Sequence, residues 1–281
     1  MNYRHAFHAG NFGDVLKHVV VARIVRYMQR KDGAIRVIDT HAGVGLYDLS
    51  SDEALRTGEA ERGATRVLQG HTPPEIAELI GPWREAVAAE NPDGGLLAYP
   101  GSPRLVRHLM RPQDRLTAVE LHPADGDALR HLFTGDYQVR IVALDGWLAL
   151  GAFVPPKERR GLVLVDPAFE VGGEAKRLGE GIAESWRKWP TGVYCGWYPI
   201  KAGTEGDVVE NGLVDAGIAK RLRVELTVRA PAADGPMAGC GLAIVNPPYT
   251  LKEELDRLLP WLAETLAEAP GGGFRVTLAG S

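Results

Sequence analysis

Short aliphatic runs alternate with longer stretches of helical periodicity along most of the chain. Residues 35–39 (Ile-Arg-Val-Ile-Asp) read as a short buried strand, and 116–120 (Leu-Thr-Ala-Val-Glu), 138–144 (Gln-Val-Arg-Ile-Val-Ala-Leu), 161–165 (Gly-Leu-Val-Leu-Val) and 241–245 (Gly-Leu-Ala-Ile-Val) read as further strands. A helix is predicted from near Gly13, with Val15, Leu16, Val19, Val20, Ile24, Val25, Tyr27 and Met28 on its buried face and Lys17 and His18 beside that stripe. Such alternation predicts an α/β chain with a doubly wound, mostly parallel sheet. Residues 50–99 break the rhythm. Helical stretches at 64–69 and 74–89, separated by Gly70-His-Thr-Pro-Pro74 and ended by Asn91-Pro-Asp-Gly-Gly95, predict a helical insertion subdomain there. Residues 1–49 and 100–281 are expected to form one domain around it.

The first strand runs directly into Thr40-His41-Ala42-Gly43-Val44-Gly45, a small-residue loop that lets backbone approach a ligand closely. It departs from the dinucleotide fingerprint, because His41 stands where the first glycine belongs and no third glycine opens a helix. A pyrophosphate needs that helix N-terminus, whereas S-adenosylmethionine carries no phosphate, so the departure favours the latter. An adenosine ligand also asks for an acid after the second strand to hold its ribose hydroxyls, and Glu120 supplies one. The usual interval from loop to acid is about 20 residues; the longer one here is accounted for by the insertion. After the third strand, Asp145 and Gly146 are placed to bracket an adenine ring. Each motif alone is also ordinary turn chemistry.

The fourth strand delivers Asp166-Pro167-Ala168-Phe169. An exocyclic amine on a base is a poor nucleophile, and methylating it requires acceptors for its hydrogens. The Asp166 carboxylate and the Pro167 carbonyl are two such acceptors, with Phe169 as a stacking face. A rival motif, Asn246-Pro247-Pro248-Tyr249, follows the strand at 241–245. Substrate chemistry in a doubly wound sheet sits beside the topological switch, and a strand so late in the chain is expected at the far side of the sheet. Asn246 also lacks a negative charge to stabilise a developing ammonium. Asp166 is therefore the expected catalytic residue.

Composition sets the remaining bounds. Two cysteines in 281 residues are too few for a disulfide framework, and no apolar signal core opens the chain, so a reducing cytoplasm is expected. No run approaches the ~18 apolar residues of a membrane helix. His5, His8 and His18 lack the thiolates or clustered third ligand of a zinc site, and no metal is expected. A net charge of −4 is unusual for a protein that binds nucleic acid. Two basic clusters offset it, Arg104, Arg107, His108, Arg111 and Arg115, and the loop Lys157, Arg159 and Arg160, the latter expected beside the catalytic motif. A charge run is more often a solvated face, so either cluster alone is a weak pointer. Tyr3, Arg4 and His5 before the first helix suit a cap over an extruded base.

These residues carry a resemblance that spans nearly the whole chain. Tyr3-Arg4-His5-Ala6-Phe7-His8-Ala9-Gly10-Asn11, Asp14-Val-Leu-Lys-His18, Asp39-Thr-His-Ala-Gly43, Tyr99-Pro-Gly-Ser-Pro103, Glu120-Leu-His-Pro123, Trp197-Tyr-Pro199 and Asn246-Pro-Pro248 are similar to the bacterial 23S rRNA (adenine-N6)-methyltransferases of the RlmJ family. The resemblance implies a Rossmann-like methyltransferase fold with a helical insertion, S-adenosylmethionine as cofactor, and methylation of one adenine, numbered 2030, of protein-free 23S rRNA by a monomer. It implies further that His18, His41, Ser102, Glu120, Asp145, Gly146 and Asp166 line the cofactor site, that Asp166 takes the proton, and that Tyr3 contacts the RNA. The family motif is Asp-Pro-Pro-Tyr; Ala168 and Phe169 depart from it here. Phe169 keeps the stacking face, while Ala168 frees a dihedral that proline would fix. A same-fold methyltransferase of DNA adenine or a protein amide, or a catalytically inactive RNA-binding module, would share much of this pattern.

Overall fold

Four of the five strands that the hydropathy pattern predicts are buried, as a sheet covered by helices on each side requires, whereas residues 139–142 are only partly buried because that strand lies at an edge of the sheet. The structure, a computed structural model, describes residues 4–280. After a 3₁₀ turn at His5–Phe7, α1 (Phe12–Met28) leads into β1 (Arg36–Asp39). Next come β2 (Leu46–Asp48), α2 (Asp52–Thr57), a π-helical turn (Glu61–Thr65), α3 (Arg66–Gln69), α4 (Pro74–Ala89) and β3 (Ala98–Pro100). The chain continues through α5 (Ser102–Leu109), β4 (Arg115–Val119), α6 (Pro123–Leu132), β5 (Val139–Val142), α7 (Gly146–Ala152) and β6 (Gly161–Val165). It ends with α8 (Glu174–Lys188), β7 (Val193–Ile200), α9 (Glu205–Asp215), β8 (Arg221–Thr227), β9 (Gly239–Val245), α10 (Leu251–Thr265) and β10 (Gly273–Ala279).

Eight strands form one sheet in the order β10-β8-β9-β7-β6-β1-β4-β5. β5, β4, β1, β6 and β7 are mutually parallel, with Ile38 of β1 opposite Thr117 on one side and Val163 on the other. From β1 the chain winds outward through β4 to β5, then returns to β6 on the other side of β1. The carboxyl ends of β1 and β6 therefore flank the topological switch, where an open α/β sheet leaves its crevice. β9 runs antiparallel to both β7 and β8. It lies two places from β6 rather than at the far side of the sheet, which corrects the sequence expectation. Its direction, not its distance, carries the residues after it to the opposite edge.

α1 is buried almost all round, including Lys17 and His18. The one-sided stripe read from the sequence understates this, because α1 packs against α4 and α5 as well as β6 and β9. Asn11 starts the helix, its Oδ1 accepting from Asp14 N at 2.9 Å. The helices at 50–99 lie above a two-stranded ribbon in which β2 and β3 pair antiparallel, Tyr47 opposite Tyr99. α4 turns Ile76, Leu79, Ile80, Trp83, Ala86 and Val87 inward. The π turn sits on the N-terminal arm: Ala64 N donates to Gly10 O at 2.8 Å, and a Cβ on Gly63 would stand 2.2 Å from that oxygen. Only glycine allows so close a backbone approach. No helix among the described residues is long and apolar enough to cross a membrane.

Candidate active site

β1 ends in Asp39, fully buried, whose Oδ2 accepts from Ser102 Oγ at 2.6 Å. Burial pushes the Asp39 carboxyl up to about 7, against the opposing pull of the Ser102 hydroxyl. The loop then turns through Gly43 at φ +62°, and Gly43 N donates to Glu120 Oε2 at 2.8 Å. Glu120, just past β4, also accepts from His122 N at 2.7 Å, so two backbone donors fix its carboxylate at the mouth of the loop. Past β5, Asp145 Oδ1 caps α7 by accepting from Trp147 N at 2.8 Å and Leu148 N at 3.2 Å. Gly146 packs so tightly on the loop that a Cβ would lie 2.3 Å from Thr40 O and 2.5 Å from His41 Nε2. His41 meets Trp147 edge-on, and burial lowers its pKa to about 4, keeping it neutral.

α1 supplies the other wall. His18 Nδ1 lies 3.0 Å from Tyr99 Oη, which accepts from Trp83 Nε1 at 3.2 Å. His18 Nδ1 is the one acceptor within reach of the Tyr99 O–H among the described residues, so the hydroxyl donates to Nδ1, which places the His18 hydrogen on Nε2. Burial lowers His18 to about pKa 3, so the ring is neutral. Nε2 is buried with no hydrogen-bond partner among the described residues. Next to His18 in sequence, Lys17 Nζ bridges Asp14 Oδ1, one turn earlier, at 2.8 Å and Asp166 Oδ2 at 2.5 Å. Asp14 Oδ2 in turn accepts from Gly10 N and meets His5 Nε2, each at 2.9 Å.

Most of these groups line one cavity of about 670 Å³. His18, His41, Gly43, Ser102, Glu120, Asp145, Gly146, Asp166, Pro167 and Phe169 all line it, together with Arg4; Tyr3 lies outside the described residues. Phe169 holds φ +51° and rests edge-on against Trp197, ring centres 5.8 Å apart. Asn246 is elsewhere. Its Nδ2 donates to Pro190 O at 2.8 Å and Gly192 O at 2.7 Å, beyond the amino end of β7. The basic loop 157–160 is likewise at that opposite edge, because it precedes β6 whereas Asp166 follows it; the expectation that it adjoins the chemistry is corrected. In the other basic cluster, Arg104, Arg107 and Arg111 pair with Glu90, Asp136 and Asp114, which spends their charge internally. Among the described residues no group of three or more His, Cys, Asp or Glu is placed to hold a metal ion.

The profile of the family described as ribosomal RNA large subunit methyltransferase D, RlmJ, matches residues 32–279. The chain belongs to the RlmJ family. It is 39% identical over 278 residues to ribosomal RNA large subunit methyltransferase J of Escherichia coli K12, covering 99% of this chain and 98% of the relative. It is 37% identical to the protein of the same name from Haemophilus influenzae, covering 98% of each. A crystal structure of protein LPL1258 from Legionella pneumophila superposes with a TM-score of 0.87 at 32% identity, over 97% of this chain and 98% of that one.

For this RlmJ family chain, Lys17 lies in the site as its place beside the apolar stripe suggests, but sequence reading missed two acids. Asp14 lines the cavity and Asp39 holds Ser102, which lines it, and both acids are buried. For Lys17 the signal was present: a lysine at the edge of an apolar helical stripe is buried only with partners. Which partners could not be read, since Asp166 is 149 residues away in sequence.

Proposed function

We propose that the chain transfers a methyl group from S-adenosylmethionine to N6 of adenine 2030 in 23S rRNA, on RNA not yet assembled into the ribosome. The observation that carries this reading is the convergence of the β1 loop, Glu120 and Asp166 on one cavity, at the switch point of a sheet whose chain is an RlmJ family member. The buried, unpartnered Nε2 of His18 supports a ligand with an acceptor there, such as the cofactor carboxylate. His18, His41, Gly43 and Ser102 would hold its amino acid end, Glu120 its ribose hydroxyls, and Asp145 and Gly146 its adenine. Bound there, the cofactor supplies an electrophilic methyl group on a sulfonium.

The remaining work falls to this chain's own residues. Asp166 and the Pro167 carbonyl accept from the N6 amine, orienting its lone pair, while Phe169 stacks on the base. The positive charge that grows on nitrogen is stabilised by Asp166, already fixed before reaction. Asp166, Pro167 and Phe169 are thus the catalytic set, and Tyr3 and Arg4 cap the flipped adenine. Ala168 leaves reaction type unchanged and loosens only the Pro167 carbonyl. We take residues 1–49 and 100–281 as the methyltransferase domain and 50–99 as its insertion, and the working protein as a cytoplasmic monomer.

The test is incubation with tritiated S-adenosylmethionine and protein-free 23S rRNA, in parallel with DNA and assembled large subunits, followed by nucleoside digestion. Label in N6-methyladenosine from naked 23S rRNA alone is the expected result. Label in DNA, or none despite cofactor binding, overturns the reading.

A further inference from the structure

Two sequence features left unused by the catalytic cavity meet at the opposite edge of the sheet. The Asn246-Pro-Pro-Tyr turn and the basic loop before β6 border a groove of about 380 Å³. Tyr27, Arg30, Lys31, Arg160, Lys220 and Tyr249 face it, and no acid is among its described lining residues. The four cations form no ion pair among the described residues. Arg160 donates to the carbonyls of Met28 at 2.6 Å and Gly33 at 3.3 Å, and Arg30 lies over the Tyr27 ring, 5.4 Å from its centre. None of these contacts neutralises a charge. In a chain of net charge −4, four unpaired cations on one groove mark a place built for an anion.

The turn itself explains why its tyrosine is outside. Asn246 holds φ +53°, fixed by its two side-chain bonds to β-edge carbonyls and by Asn246 N donating to Lys220 O at 3.0 Å. Pro247 and Pro248 are buried, which leaves Tyr249 87% exposed at the rim. An exposed ring on a rigid turn among unpaired cations is the combination that grips single-stranded nucleic acid, with base on ring and phosphate on cation. The groove is separated from the catalytic end by the extended span from Arg160 to Asp166. That is about 20 Å, six steps at roughly 3.3 Å each.

We propose that this groove is a second RNA-binding site, which seats an unpaired nucleotide and its flanking phosphates from a part of the substrate rRNA distant from the target adenine. The proposal rests on the reading of 23S rRNA as substrate. It assigns the Asn246 motif a docking role and gives an otherwise acidic chain its purchase on a polyanion. Each cation that meets a phosphate adds about 0.7 to the salt slope of binding to single strands.

The experiment compares the wild type with the double variant Lys31→Glu, Lys220→Glu and with Tyr249→Ala and Tyr249→Phe, all at exposed positions. Retention of protein-free 23S rRNA on filters is measured across a salt series, together with KM and kcat for that RNA and affinity for S-adenosylmethionine. The charge reversal is expected to weaken RNA binding at least tenfold and to flatten the salt slope by about 1 to 2. Tyr249→Ala is expected to weaken binding roughly 5- to 150-fold, with Tyr249→Phe near wild type. The loss should appear in KM, with kcat at saturating RNA and cofactor affinity unchanged. A wild type that methylates 23S rRNA while every variant binds it equally well overturns the groove alone. Groove-dependent retention of 23S rRNA without methylation overturns the catalytic reading and leaves the groove standing.

Discussion

Lys17 Nζ lies 2.5 Å from Asp166 Oδ2, an ion pair that ties the first helix to the end of the fourth parallel strand. The same ammonium is 2.8 Å from Asp14 Oδ1, so one buried cation serves two carboxylates. Burial pulls the Lys17 pKa down, yet Asp14 and Asp166 together outweigh it and hold the group well above the usual lysine range. With Oδ2 committed to Lys17, Asp166 keeps Oδ1 for the substrate amine proposed above.

Asp166→Asn should reduce methyl transfer by roughly 10²- to 10⁴-fold, the range of a single proton acceptor. Lys17 retains Asp14 in that variant, so the thermal midpoint should stay near wild type. Single-turnover rates beside a melting curve check both halves; normal turnover would take the chemistry away from Asp166.

Lys17→Met should act on stability first. It leaves Asp14 buried without its ammonium, a loss of about 3–5 kcal/mol for one partner of a buried pair. Adding Asp14→Asn should recover much of that loss in urea denaturation while turnover stays low. Equal stability of the single and double variants would show that the pair is not coupled.

Asp39 gives the fold a pH signature. Its carboxyl is raised by burial from 3.8 to about 7, so between those values the folded state holds a proton that the unfolded state has released. Stability from this group is complete below about pH 4 and is lost as pH rises through about 7. Asp39→Asn should remove that slope from urea midpoints taken between pH 4 and 8. Ser102→Ala removes a hydrogen bond that lowers the Asp39 pKa, so the fall should extend to higher pH.

Gly146→Ala places a methyl group 2.3 Å from Thr40 O. Overpacking of this kind costs about 1–3 kcal/mol, and here it distorts the loop assigned to the cofactor. Calorimetric titration with S-adenosylmethionine should show weakened binding, with far-ultraviolet circular dichroism unchanged. Wild-type affinity would remove this loop from the cofactor site.

Local pattern carried much of this structure. The run 161–165 is the observed strand residue for residue, and 74–89 is the observed helix. Motifs at strand ends were legible because a parallel sheet delivers them to one edge. Direction was harder: nothing in Gly241-Leu-Ala-Ile-Val245 says that it runs against β7, yet that reversal removes Asn246 from the cavity. The loop 157–160 failed similarly, since adjacency to Asp166 in sequence spans the full length of a strand in space. Buried polar links, such as His18 to Tyr99 across 81 residues, leave no periodic trace at all.

The contact between Gly63 and Gly10 bears on how such a chain changes over evolution. Because the π turn is moulded to the backbone of the arm, the segment at 50–99 is not an ornament to be traded freely between homologues. A chimera that imports another protein's helices must import the matching arm as well. The two are expected to be inherited together, and a deletion of one should leave an exposed seam on the other.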